Sequence, residues 1–308
     1  MRHSIFEGIR HGEQTSPLAV PLWTVARLGV MALSALALQV PRAGADTLAP
    51  VPSVASIAAE RVLTFPCKPA VVAPVCRISE YTDSRATAPR VGLQFVSIEI
   101  PKSLASFRVR PVPATGTDQL AVYQAAGDGA IAVISGGFSK NGKPIGLHLT
   151  NKKTFVDIAD LDGNLQGGVF ALTSTGTSID ERRKVTPARI KTYIEAIQGI
   201  PILLASGHVD IKEPPGEGNR VAVGLDLAGN THIFGIFASY PAVTLREFAN
   251  IIEEFAMRRN ILGLTVLNLE GAKQSHIYLP HSPFSNGGKQ HFGTKHRADL
   301  TSLIAFGV

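Results

Sequence analysis

Leu262-Gly-Leu-Thr-Val-Leu-Asn-Leu-Glu-Gly271 is an apolar run that stops abruptly at Asn268, Glu270 and Gly271. Leu264, Val266 and Leu267 read as a buried strand, since a short continuous apolar run needs cover on its side chains. A strand finishing in an amide, a carboxylate and a glycine delivers polar groups to the rim of a sheet, where ligands of sheet proteins commonly sit. A strand followed by an ordinary polar turn has the same composition, so the pattern by itself leaves both readings open.

Working upstream, Thr244 stands three residues before Glu247, a capping box that opens a helix. Leu245, Phe248, Ile251, Ile252 and Phe255 form its apolar stripe, and Arg246, Glu253, Glu254 and Arg258 are left for water. That helix packs on a sheet and leads into the strand carrying Asn268 and Glu270. A second helix is expected from Thr186-Pro187, with Ile190, Tyr193, Ile194 and Ile197 on one face at helical spacing. Strands are expected at Val91–Ile100, Leu120–Tyr123, Ala130–Ile134, Thr154–Ile158, Gly168–Leu172, Thr177–Ile179, Ile202–Ala205, Arg220–Asp226 and His232–Phe237. Asp226-Leu-Ala-Gly-Asn230 reads as the hairpin turn between the last two. Strands outnumber helices without regular alternation. The fold class is therefore α+β: a single domain over 91–308 with helices on a twisted, mixed or mostly antiparallel sheet.

The N-terminus has the marks of an export signal. Leu28 to Val40 is a largely apolar stretch of thirteen residues, preceded by Arg27 and followed by Ala43-Gly44-Ala45. It is too short to span a bilayer and ends in the small residues that signal peptidase requires. An uncleaved anchor starting at Leu18 would place Arg27 mid-membrane at a cost of about 3 kcal/mol, so cleavage after residue 45 is the favoured reading. Cleavage removes four arginines and two glutamates and lowers the net charge from +6 to +4. A periplasmic or secreted protein that meets the membrane only through this segment is expected. The modest positive charge suits anionic envelope polymers, and no basic–aromatic interleaving of the kind single-strand nucleic-acid binders use is present.

Residues 46–90 read as a leader, rich in Ala, Pro and Ser and then irregular around Cys67 and Cys76. In an exported chain two nearby cysteines favour a disulfide, and no histidine or carboxylate lies between them to suggest a metal.

Several common machines are missing from the sequence: G-x-S-x-G, G-x-G-x-x-G, H-E-x-x-H and C-x-x-C. Gly137 to Lys143 spells most of a phosphate-binding Walker loop, but Pro144 stands where Ser or Thr should bind magnesium. His276 with His281 and His291 with His296 have the wrong spacing for a helical zinc site, and a surface loop is the simpler reading. No cofactor is implied, and a role for a divalent cation is left open.

Five segments, in order, resemble one family. Ile134-Ser-Gly-Gly-Phe138 followed by Gly142-Lys-Pro-Ile-Gly146 is similar to its Asn-Gly-Gly-Phe-Phe…Gly-x-Pro-x-Gly pattern. Gly168–Leu172, Gln198-Gly-Ile-Pro-Ile-Leu-Leu-Ala-Ser-Gly207, Arg220-Val-Ala-Val-Gly-Leu-Asp226 and Thr244–Tyr278 resemble the later elements, the last ending in Leu-Asn-Leu-Asp-Gly-Gly-x-Ser. The family is the phosphodiester glycosidase domain family, which includes the lysosomal enzyme that uncovers mannose 6-phosphate; the likeness is to its short bacterial envelope branch. The sequence departs from the pattern at Ser135 (for Asn), Ser139 (for the second Phe), Glu270 (for Asp), Ala272 (for the second Gly) and Gln274 (for Ser).

The resemblance implies cleavage of a sugar phosphodiester or related envelope glycan, with Glu270, Arg220 and Asn268 as the catalytic set. Chemistry agrees with those residue types. Arg220 can fork onto two phosphate oxygens, Glu270 can serve as acid, base or nucleophile, and Asn268 can orient a sugar hydroxyl. Ser135, Gly136, Gly137 and Gly271 are the expected substrate-binding positions, with the paired glycines offering backbone N–H groups as an anion nest. Each has a structural alternative: an Arg220 bridge to Glu217 or Glu270, a tight turn at the glycines, a turn cap at Asn268. The Glu270 carboxylate reaches one methylene further than aspartate, which leaves a second reading open: a non-catalytic member that binds an envelope glycan or phosphate-bearing polymer.

Overall fold

A computed structural model describes residues 59–68, 71–82, 93–112, 119–160, 166–211, 216–237, 243–271, 275–282, 289–293 and 300–308. All of them belong to one compact unit, Leu48–Val308. The expected signal segment, 1–45, lies outside the described residues.

Three antiparallel sheets form the body. The largest has eight strands, in spatial order Ala59–Lys68, Val71–Thr82, Gln94–Ile100, Thr231–Phe237, Arg220–Leu225, Thr265–Gly271, Ile202–Ala205 and His208–Val209. A second, of five, runs Gly176–Glu181, Gly168–Thr173, Tyr193–Gly199, His148–Thr150 and Lys153–Val156. The third, also of five, runs Gln290–Gly293, His276–Leu279, Ala132–Ser135, Ser302–Phe306 and Phe107–Pro111. The main core lies where the three meet, with Ile98, Val223 and Leu267 from the first, Phe170 and Ile197 from the second, and Ile134 and Ile304 from the third.

The Leu245–Arg258 helix covers the other face of the largest sheet. Thr244 accepts from Glu247 N at 3.2 Å while the Glu247 carboxylate accepts from Thr244 N at 2.8 Å, so the capping box forms as the sequence predicts. Phe248, Ile251, Ile252 and Phe255 pack on Phe95, Ala222, Phe234 and Val266. Each such side chain contributes roughly 1.5–3 kcal/mol on burial. Cover on both faces explains the unbroken apolar run: Val266 belongs to the helix-side core, and Leu267 and Leu269 belong to the core between sheets.

Three expectations are corrected. The helix begun at Thr186-Pro187 lasts only from Pro187 to Ile190, capped by Thr186, and Tyr193–Gly199 is a strand. Every residue of that strand except Ile194 is buried, so helical spacing among its apolar positions carried no information about which face was in. Leu120–Tyr123 lies in a helix, Gln119–Ala126, that packs Tyr123 and Ala126 against the third sheet. Residues 59–82 are two long strands joined to the largest sheet rather than an irregular leader. The Cys67–Cys76 disulfide, as expected, ties that hairpin near its turn.

Candidate active site

Asn268, Glu270 and Gly271 finish the Thr265–Gly271 strand, and the Arg220–Leu225 strand runs antiparallel beside it. Ala222 opposes Asn268, but Arg220 opposes Gly271 because one extra residue is accommodated between the two pairs. Without that bulge Arg220 would face position 270. Bulges re-aim side chains next to active sites, and here the displacement lays the guanidinium across Gly271. A methyl group on Gly271 would overlap Nη1 of Arg220, with Cζ only 3.4 Å away. Nη2 of Arg220 donates to Gly216 O at 3.0 Å, which fixes the plane of the group.

Asn268 is 2% exposed and shares a face with Val266, two residues before it. Its Nδ2 donates to Ile200 O at 2.7 Å, which orients the amide, and its Oδ1 is buried with no partner among the described residues. A buried acceptor left unpaired costs about 1–3 kcal/mol, so it is tolerated where a ligand completes it. The side chain of Glu270 lies outside the described residues, as do Ala272–Gln274; the Glu270 backbone is placed in the strand between Asn268 and Gly271.

The remaining predicted positions adjoin this strand pair through backbone approaches. Gly199 ends the neighbouring strand of the second sheet, where any side chain would collide with Asn268 O. Gly137 sits against Gln198: a Cβ on it would be 3.1 Å from Gln198 O and 3.0 Å from the His148 ring. Ser135 Oγ accepts from His276 N at 3.2 Å, and Ser275 Oγ donates to Asn219 O at 3.0 Å, which leads back to Arg220. Ser135 and Gly137 are thus linked to the strand pair through intervening residues, Gln198 and Gly199 on one side and His276, Ser275 and Asn219 on the other.

The anion nest expected from Gly136 and Gly137 needs correction. Gly136 N donates to Ser302 O at 3.0 Å and Gly137 N to Ser302 Oγ at 3.2 Å, so neither amide is presented to a ligand. Close packing is what demands glycine here: a Cβ on Gly136 would lie 2.9 Å from both Cβ and the carbonyl carbon of Ser302.

His148 and Ser302, which sequence reasoning did not single out, hold this loop. Gly146 O, 2.9 Å from His148 Nδ1, can only accept, so the ring proton is on Nδ1. His148 Nε2 then accepts from the Ser302 hydroxyl at 3.0 Å, while Ser302 Oγ accepts from Gly137 N. Burial depresses the His148 pKa against a smaller upward pull from the Gly146 carbonyl, which keeps the ring neutral. Both side chains are buried, His148 at 0% and Ser302 at 1% exposure, and their hydrogen bonds lock the loop in place. Among the described residues no three His, Cys, Asp or Glu side chains gather as a metal site. His276 Nε2 instead meets His291 Nδ1 at 2.9 Å across neighbouring strands, joining the two predicted histidine pairs rather than completing either.

A family model described as phosphodiester glycosidase matches residues 128–305, more than half of the chain and all of the residues just described. The chain belongs to the phosphodiester glycosidase family. Its fold is similar to the catalytic domain of zebrafish N-acetylglucosamine-1-phosphodiester alpha-N-acetylglucosaminidase, auto-inhibited by its pro-peptide, with a TM-score of 0.54 and 14% identity over 80% of this chain and 87% of that one. A hypothetical protein from Synechocystis gives a TM-score of 0.47 at 12% identity, over 75% of this chain and 62% of its own. At 14% identity the likeness to the zebrafish domain is one of fold. No curated protein sequence matches the chain. Among the described residues no helix is long and apolar enough to cross a membrane.

Proposed function

We propose that this phosphodiester glycosidase family member is an exported hydrolase that cleaves a sugar from a phosphodiester or related envelope glycan linkage. The observation that carries the reading is the pairing of Arg220 with Gly271 at the end of the strand that bears Asn268, whose Oδ1 has no partner among the described residues. A guanidinium there suits the phosphate and an amide oxygen suits a sugar hydroxyl, one on each side of residue 270. Glu270 supplies the carboxylate that glycosidic cleavage requires. The bond from the anomeric carbon to the phosphate oxygen breaks, water adds its hydroxyl to that carbon, and the remaining proton leaves with the phosphate monoester. Ser135, Gly136 and Gly137 shape the wall of the pocket through the His148–Ser302 lock.

The test is release of free sugar from aryl and sugar phosphodiesters by the full chain. The parent should turn over, Glu270→Gln should not, and Arg220→Ala should raise KM. Retention of the phosphodiester without turnover, lost in Arg220→Ala and unchanged in Glu270→Gln, would replace the hydrolase by a glycan-binding protein built on the same fold.

A further inference from the structure

At the far end of the largest sheet lies a polar constellation that the proposed chemistry does not use. Val243–Thr244, at the start of the Leu245–Arg258 helix, pairs with Glu217–Gly218 next to Arg220, whereas Arg259, at the helix end, borders His232. Arg220 and Asp226 lie six positions apart along one strand and its turn, roughly 20 Å at about 3.3 Å per residue. The two ends are separate sites.

Asp226 is organised by three donors. Asn230 N reaches Oδ1 at 2.8 Å, and Asn230 Nδ2 and His232 Nε2 each reach Oδ2 at 3.0 Å. Burial works to raise the carboxyl pKa, but the hydrogen bonds from His232 and Asn230 outweigh it and the net shift is downward. An ionised carboxylate only accepts, so the imidazole carries a proton on Nε2, and Nδ1 is the ring's other polar atom. His232 is 1% exposed, and Nδ1 has no partner among the described residues.

Next to this ring is a hollow of about 10 Å³, walled by His232, Ser79, Ser97, Glu99, Arg77 and Arg259 but not by Asp226. That is room for one water-sized group. Ser79 and Ser97 face each other across neighbouring strands, as do Glu99 and His232. Outside it is a cleft of about 440 Å³ that shares Arg77, Glu99, His232 and Arg259 and adds Leu227 and Leu262 at its lip. Those leucines are 79% and 60% exposed, unusual for their type, and stand beside two guanidinium groups and the carboxylates of Asp226 and Glu99, the latter 3.4 Å from Arg77 Nη1. The volume is that of a small-ligand site.

We propose that this cleft is a second binding site, for a sugar unit that carries an anionic group: its carboxylate or phosphate sits between Arg259 and Arg77, competing with Glu99 for the latter, one hydroxyl enters the hollow and hydrogen-bonds His232 Nδ1, and the C–H face of the ring rests on Leu227 and Leu262. The site is independent of the hydrolysis reading and stands or falls without it. It gives an extended anionic glycan a hold about 20 Å from Arg220.

The full chain, with ¹⁵N in its histidine rings, is titrated with glucuronate, glucose 6-phosphate, neutral glucose and inorganic phosphate. The Nδ1 resonance of His232, identified by its loss in His232→Gln, should move saturably with at least one sugar anion; which of the two acts more strongly tells carboxylate from phosphate. Glucose and inorganic phosphate should bind at least tenfold more weakly. Arg77→Ala, a change at a half-exposed position, should weaken the sugar anion about tenfold, and Arg220→Ala should leave the titration as it was. The proposal is overturned if neither sugar anion moves the resonance, if inorganic phosphate binds as tightly as they do, or if Arg220→Ala and not Arg77→Ala removes the effect.

Discussion

Replacing Gly271 by alanine separates the role of the Arg220 guanidinium from that of the fold. The added methyl group falls on Nη1 of Arg220, so the guanidinium must move aside. What it meets is the tip of a flexible side chain, and alanine suits an extended strand at least as well as glycine does. Stability should therefore change by no more than about 1 kcal/mol. Catalysis should not escape so lightly. A guanidinium bound to a phosphate oxygen contributes about 1.5–3 kcal/mol. Displacement by about an ångström removes most of that, because productive geometry tolerates only about half an ångström. The expected loss in kcat/KM is roughly 10- to 150-fold. Turnover of a sugar phosphodiester and urea unfolding would be measured on the same preparations of parent, Gly271→Ala, Arg220→Ala and the double variant. Since the methyl group acts only through Arg220, the double variant should be no worse than Arg220→Ala alone. A fully active Gly271→Ala, or two losses that simply add, would refute the reasoning.

The loop before Phe138 gives the opposite expectation. Gly136→Ala presses on the backbone and Cβ of Ser302 at 2.9 Å, atoms that cannot swing away, so a loss of about 1–3 kcal/mol in denaturant unfolding is expected. His148 should make stability depend on pH in a defined window. Its folded pKa lies below the ordinary 6.5, so the unfolded chain takes up the proton first as pH falls. The stability due to neutral His148 is thus complete above the unfolded value and is lost as pH drops through it towards the folded one. Unfolding free energies at pH 7.5 and about 5.5 should differ more for the parent than for His148→Gln; equal differences would remove His148 as the cause.

Elements whose two faces differ were the legible ones. The Leu245–Arg258 helix buries one stripe and wets the other, and its capping box fixed the start to the residue. The Asp226–Asn230 turn was legible for a similar reason, because Asp226 O accepts from Gly229 N and Oδ1 from Asn230 N, local bonds that need no distant partner. The Tyr193–Gly199 strand defeated pattern reading because its polar members are buried along with its apolar ones. Glu195 is 2% exposed, and its carboxylate accepts from Val109 N, Asn151 N and Thr150 Oγ1. Those donors come from residues more than forty positions away, and no local window contains them.

The same distinction explains the rim. Arg220, Asn268 and Gly271 could be nominated from sequence because they fall in segments that resemble the family's and are of residue types suited to a sugar phosphate. Their relation could not, since it depends on a bulge: only the slip between Ala222–Asn268 and Arg220–Gly271 decides that the guanidinium meets glycine and not residue 270. The glycines at 136 and 137 were nominated for the right place and the wrong property. Their spacing announces close backbone approach, but sequence cannot say whether the approaching partner is an anion or Ser302, and here both amides already have the latter. In a protein built from three sheets around a shared core, glycine reports crowding first. A buried polar atom with no partner among the described residues, such as Asn268 Oδ1 at one end of the largest sheet or His232 Nδ1 at the other, is the sharper sign that something from solution belongs there.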